Sequence, residues 1–163
     1  MLEVQCKVYA AMLALGRQIL ADIDADRFCV QPAPGLNHPA WILGHLAVVS
    51  DGTIRLLGES RVLPREWGKL FGPGTNPSTD PALYPSKDEL VAAWTTAHER
   101  METAAAKATA ELLAEPHGVD FANLKVTLPT KGDLVTHVMT SHEGFHLGQL
   151  STWRRLAGMP YLF

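Results

Sequence analysis

At 163 residues, with 47% hydrophobic and 19% charged side chains, the chain is long enough to bury one core unaided and apolar enough for broad buried faces. A formal net charge of -3 with no basic tail behind it sets aside nucleic acid and an anionic membrane as main partners. Cys6 and Cys29 lack both the number for a disulfide scaffold and metal-ligand spacing. With no basic leader and no uninterrupted run of about 20 apolar residues, a single cytoplasmic domain over 1–163 is expected.

Residues 2–24 read as a first helix, because Val8, Met12, Leu15, Ile19 and Ile23 recur at steps of three and four. Asp22, Asp24 and Asp26 crowd its C-terminal end, where the helix dipole disfavours carboxylates, so fraying is expected there. Gln31-Pro32-Ala33-Pro34-Gly35 is a loop. A second helix starts at Asn37-His38-Pro39, with Asn37 as cap, and runs through Trp41, His45, Val48 and Val49 to about Leu57, where Gly58 stops it. From Glu59 to Pro85 glycine and proline recur too often for regular structure. Trp67, Leu70, Phe71 and Tyr84 are expected to pin this long connection onto the helices, either walling a pocket or simply covering the bundle.

Ser86-Lys87-Asp88-Glu89 is a capping box, and a third helix follows it to about Glu115. Leu90, Trp94, Ala97, Met101, Ala105, Ala108 and Leu112 form its apolar stripe, with His98 close enough to reach the interior as a hydrogen-bonding residue or a ligand. Pro116-His117-Gly118 breaks the helix, and Phe121 to Leu128 reads as a loop with a little extended structure. Thr130 is placed to cap a fourth helix from about Asp133 to Leu156, whose apolar side takes in Leu134, Val138, Phe145, Trp153 and Leu156. Gly158-Met159-Pro160 ends it, and Tyr161, Leu162 and Phe163 fold back as an apolar tail. The result is an all-α fold, a four-helix bundle with a long connection between helices two and three. The apolar and alanine positions of the first and third helices, with the apolar tail, predict a homodimer.

The fourth helix carries His142-Glu143-Gly144-Phe145-His146. Histidines four apart lie about 6 Å apart along a helix and roughly 40° apart around it, so both imidazoles can face one divalent metal. Read as the short zinc-peptidase motif, the glutamate would activate water. A third ligand would then be expected downstream, and residues 147–163 contain no histidine, aspartate, glutamate or cysteine. His45 on the second helix is the upstream candidate, tying two distant helices through one ion. His45, His142 and His146 would leave room for water or substrate, as catalytic sites do, unless Asp51, His98 or Glu143 closes the sphere as a structural site. Three neutral nitrogens suit zinc, nickel, cobalt or ferrous iron. Glu143 is the candidate catalytic residue: it reaches bound water, holds a ligand imidazole, or is a polar surface residue. His137 precedes His142 by five, an offset of about 140° on a regular helix, which predicts that one metal does not meet both.

Two blocks, Asn37-His38-Pro39-Ala40-Trp41-Ile42-Leu43-Gly44-His45-Leu46 and His142-Glu143-Gly144-Phe145-His146-Leu147-Gly148-Gln149-Leu150, the latter followed by Arg154-Arg155-Leu156-Ala157-Gly158, resemble the DinB/YfiT superfamily of small bacterial proteins. The resemblance implies a four-helix bundle, often dimeric, with His45, His142 and His146 on a divalent metal, zinc or nickel first among them. Some relatives are thiol-dependent transferases that use a low-molecular-weight thiol cosubstrate, and others are isomerases or amide hydrolases. A metal-dependent enzyme acting on small molecules, of transferase or hydrolase type, is therefore expected, with a non-enzymatic, metal-stapled bundle as the alternative.

Overall fold

The computed structural model describes residues 1–162, and the apolar stripes read above become helices in it, with corrections at their ends. Helix α1, Glu3–Leu20, is shorter than expected and is followed by a 3-10 turn at Ala25–Arg27. The crowded carboxylates do not leave that junction loose. Asp22 pairs with Arg154, whose buried guanidinium also donates to the Ile19 carbonyl at 2.9 Å, a cation at the helix end the dipole favours.

Helix α2 spans Pro39–Thr53 and continues as a 3-10 turn over Ile54–Leu57, which Gly58 closes with φ at 86°. Its cap is not Asn37 but His38, whose Nδ1 accepts the Trp41 amide at 3.2 Å. Pro39–Leu57 is long and apolar enough by composition to cross a membrane, yet it is mostly buried as the central core helix. The 59–85 connection holds more structure than expected: a short helix α3, Trp67–Phe71, and a 3-10 turn at Pro81–Leu83.

Helix α4, Lys87–Lys107, starts at the expected capping box, in which the Glu89 carboxylate accepts the Ser86 amide at 2.9 Å. It does not reach Glu115. Ala108 turns extended, Thr109 caps a new short helix α5 at Ala110–Ala114, and α6 forms at Leu124–Thr127 where a loop was expected. Thr130 caps α7, Lys131–His137, and the chain then passes through a π-turn at Val138–His142 into α8, Glu143–Leu156.

Among the described residues the fold is all-α, with one isolated bridge, Pro116 to Thr130, and no strand. The long segments close a ring: α2 packs on α4, α4 on α1, α1 on α8 and α8 on α2. The short helices make it more than the simple four-helix bundle expected.

Close approach within the ring depends on two glycines. A Cβ at Gly16 would overlap the indole of Trp94, and one at Gly44 the ring of Phe71. Trp94 is fully buried between α1 and α8, and its truncation to alanine would cost roughly 3–5 kcal/mol. The extra residue in the π-turn shifts the register of α8. Phe145 and Leu156, expected inside, are 62% and 54% exposed, while Glu143, His146, Leu147 and Leu150 turn inward. The tail does not fold into the core: Tyr161 is exposed under the Arg155 guanidinium, Leu162 is exposed, and Phe163 lies outside the described residues.

Candidate metal centre

His45 sits in the middle of α2 and is buried; His142 closes the π-turn, and His146 lies one turn into α8. Packing of α8 against α2 brings the three together. Nε2 of His45 and Nε2 of His142 are 3.2 Å apart, and one ligand atom from each imidazole lies within 4.8 Å of the others.

Each ring is held from behind to a different degree. His45 Nδ1 is 2.6 Å from the Phe71 carbonyl at the end of α3, so Nδ1 carries the proton and donates, leaving Nε2 as the lone pair. Trp41, one turn earlier on α2, stacks on the same imidazole with centroids 4.7 Å apart and planes at 10°. The indole is fixed in turn, since Trp41 Nε1 donates to Thr75 Oγ1 at 3.0 Å. His146 Nδ1 donates to Gln149 Oε1 at 3.0 Å, and Asn37 Nδ2 donates to the same oxygen at 3.0 Å. Asn37, released from the capping role expected of it, thus supports α8. His142 differs: its Nδ1 is buried with no hydrogen-bond partner among the described residues.

The electrostatics make these rings donors. Burial, reinforced by the neighbouring imidazoles, holds His142 at about 3, and burial with His45 holds His146 at about 4. Burial also lowers His45, against the Phe71 hydrogen bond. All three are neutral near pH 7, the state in which an imidazole binds metal. Two nitrogens sharing a tetrahedral ion at about 2.0–2.1 Å would lie about 3.3 Å apart. The 3.2 Å between His45 and His142 meets that spacing. The residues present fit a divalent cation.

The side chains that could have closed a fourth position lie outside the cluster of ligand atoms. Asp51 is fully buried but accepts from Arg61, Arg100 and the amides of Val62 and Leu63, locking the 59–85 connection to α2. His98 is neither an interhelical hydrogen bond nor part of the cluster. It stacks on Tyr9 with centroids 3.3 Å apart, both nitrogens lack partners, and burial holds it at about 3. Glu143 is not a surface residue: it is fully buried, and its Oε1 accepts from Trp94 Nε1 on α4 at 3.0 Å. Burial raises its carboxyl to about 8, so it is neutral at pH 7.

The sequence-level reading missed two partners of the site. The Phe71 carbonyl is a backbone group, for which residue type carries no signal. Gln149 lies three residues after His146, a spacing that could have found it. His137 stays outside the ligand cluster as helix geometry predicts, although the π-turn brings its ring to 5.8 Å from that of His142. Trp67, expected to pin the long connection, packs behind Phe71 with 5.3 Å between centroids, whereas Trp41 is the tryptophan that stacks on His45.

A family model described as the DinB superfamily matches residues 9–150, which covers part or all of every helix of the ring and all three histidines. The chain belongs to the DinB superfamily. Comparison with curated proteins finds no match. Within this DinB bundle, the clustered triad supports metal binding.

Proposed function

We propose that this DinB-superfamily protein binds one divalent metal, zinc or nickel, through His45, His142 and His146, and is an enzyme that joins a low-molecular-weight thiol, or water, to an electrophilic small molecule. The observation that carries the reading is the convergence of three neutral imidazoles with no fourth histidine, cysteine or carboxylate in the cluster among the described residues. A divalent cation so held supplies Lewis acidity and lowers the pKa of a bound water or thiol.

The chain's own residues supply orientation and shielding. The Phe71 carbonyl and Gln149 fix two of the imidazoles in the tautomer that leaves Nε2 as donor. Trp41 covers one face of His45 and keeps water from it. Glu143 acts in this reading as a positioning residue. Its bond to Trp94 fixes the first turn of α8 against α4, and with it His142 and His146. Held neutral by burial, with Oε1 on Trp94, the carboxyl is not the ionised base that the zinc-peptidase reading requires.

The competing reading is a structural ion that only ties α2 to α8; a fourth protein ligand would favour it. The reading is tested by elemental analysis of the purified protein, followed by assays with thiols against epoxide and halogenated acceptors and with amides for hydrolysis. Stoichiometric metal with turnover of one class supports it; a metal sphere closed by protein side chains overturns the catalytic part. A homodimer also belongs to this reading. The exposed Phe145 and Leu156 on α8 offer a surface for it beside those of α1 and α4.

A further inference from the structure

A π-turn costs regular helix hydrogen bonding and recurs at functional sites because it re-aims side chains. Here it covers Val138–His142 and ends on a member of the triad. On a regular α-helix His137 would point about 140° away from His142. In an i to i+5 turn, residues five apart become neighbours, and the His137 ring stands edge-on to His142, with centroids 5.8 Å apart and planes at 66°.

The setting of His137 distinguishes it from the three clustered histidines. His45 and His146 are buried and His142 is half-buried, so solvent reaches the cluster on the His142 side, where His137, also half-buried, stands. His137 does not share the 4.8 Å ligand cluster. Its Nδ1 is 2.7 Å from Ser141 Oγ, and the Ser141 hydroxyl is also 3.4 Å from the His137 carbonyl. In the Nδ1–H tautomer Oγ accepts from the ring, and its own hydrogen goes to the carbonyl. Nε2 then presents a lone pair with no protein partner among the described residues.

We propose that His137 is a ligand-binding residue of the metal site, accepting through Nε2 a hydrogen bond from an O–H or N–H of the small molecule that occupies the position the three histidines leave open. The inference rests on the metal reading above and adds a selectivity: the site prefers ligands that carry a proton next to the donor atom over anions that carry none. The π-turn is the device that puts this acceptor beside the triad.

The test uses the full chain loaded with cobalt, whose visible absorption reports what binds to the metal. Unmodified protein, His137→Ala and His137→Gln are compared for cobalt content, then titrated with acetohydroxamate, which carries N–H and O–H, and with azide, which carries neither. Expected are equal cobalt content, azide affinities within about twofold, and acetohydroxamate weakened about tenfold in His137→Ala. His137→Gln, whose amide oxygen is also an acceptor, recovers much of that loss. Equal acetohydroxamate affinity in His137→Ala overturns the inference while leaving the metal reading intact. Loss of cobalt from His137→Ala overturns it too, by making His137 a ligand. Absence of cobalt from the unmodified protein is the separate failure of the metal reading, and the inference falls with it.

Discussion

The Nε2 atoms of His45 and His142 lie 3.2 Å apart although the two residues are 97 positions apart in the chain. That contact joins α2 to the start of α8, and the behaviour of the site follows from what holds each ring in it.

Replacing His45, His142 or His146 with alanine removes a nitrogen that no neighbour can replace. Each variant is expected to lose at least about 100-fold in metal affinity, more than outer partners are worth. His98→Ala keeps its metal, since His98 stacks on Tyr9 away from the cluster. Elemental analysis of untagged proteins decides it, and full metal content in His45→Ala would refute the cross-helix site. Removing the metal with a chelator should lower Tm by about 5–10 °C, the effect of losing a ligand present at about 100 times its Kd.

Gly44→Ala tests the coupling between α3 and the metal centre. The new methyl overlaps the buried Phe71 ring, so α3 must shift, and the Phe71 carbonyl that holds His45 shifts with it. The expected cost is about 1–3 kcal/mol in urea denaturation, with metal affinity down about 10-fold or more. Gly52→Ala, on the same helix with open space around it, should instead stabilise by up to about 1 kcal/mol and leave metal binding alone. Equal metal affinity in the two variants would show that the Phe71 contact does not matter.

Stability of the metal-free protein should fall on acidification. His38, His98, His142 and His146 all have lowered pKa values, with burial the leading cause, and His98 and His142 reach about 3. Each takes up a proton more readily unfolded, near 6.5, than folded. Their contribution is therefore complete above pH 6.5 and lost as pH drops from there towards the folded values. For the fully buried His98 the slope approaches about 1.4 kcal/mol per pH unit. Urea midpoints at pH 7, 6 and 5 read this directly, and a flat profile would mean the imidazoles are solvated.

Glu143 has the opposite sign. Its folded pKa of about 8 lies above the ordinary 4.5, so its contribution is complete below pH 4.5 and is lost as pH rises from there to 8. Glu143→Gln keeps an acceptor for Trp94 Nε1 without a charge to bury. It should match the parent in stability below pH 4.5, gain on it as pH rises towards 8, and retain metal. Glu143→Ala strands the indole N–H and should cost about 1–3 kcal/mol. A Glu143→Gln variant that loses turnover while holding metal and fold would return Glu143 to a catalytic role.

Light scattering at micromolar concentration is expected to give twice the 17.8 kDa of one chain. Phe145→Ser combined with Leu156→Ser should reduce it to a single chain, because both are exposed on α8. A single-chain mass for the unmodified protein rules the dimer out.

What could be read from the residues alone was what depends on near neighbours in the chain. The Ser86 and Thr130 caps, the Gly58 stop, the stripe of α4 and the His142–His146 pair each need only residues three or four apart. Family-specific blocks around His45 and His142 then carried the pairing of two helices that spacing alone left as one option. The rest required the packed fold. Nothing local distinguishes Val138–His142 from regular helix. Burial of Val138 and Met139 on one side, and of Glu143 and His146 on the next stretch, accompanies the extra residue per turn. That shift exposed Phe145 and brought His137 beside the site. The Phe71 carbonyl reached His45 only because Gly44 lets the aromatic ring settle on α2. Short-range spacing settles which side chains share a helix face. Which face meets which, and what stands behind each imidazole, depends on contacts dozens of residues apart, and those form only when the core closes.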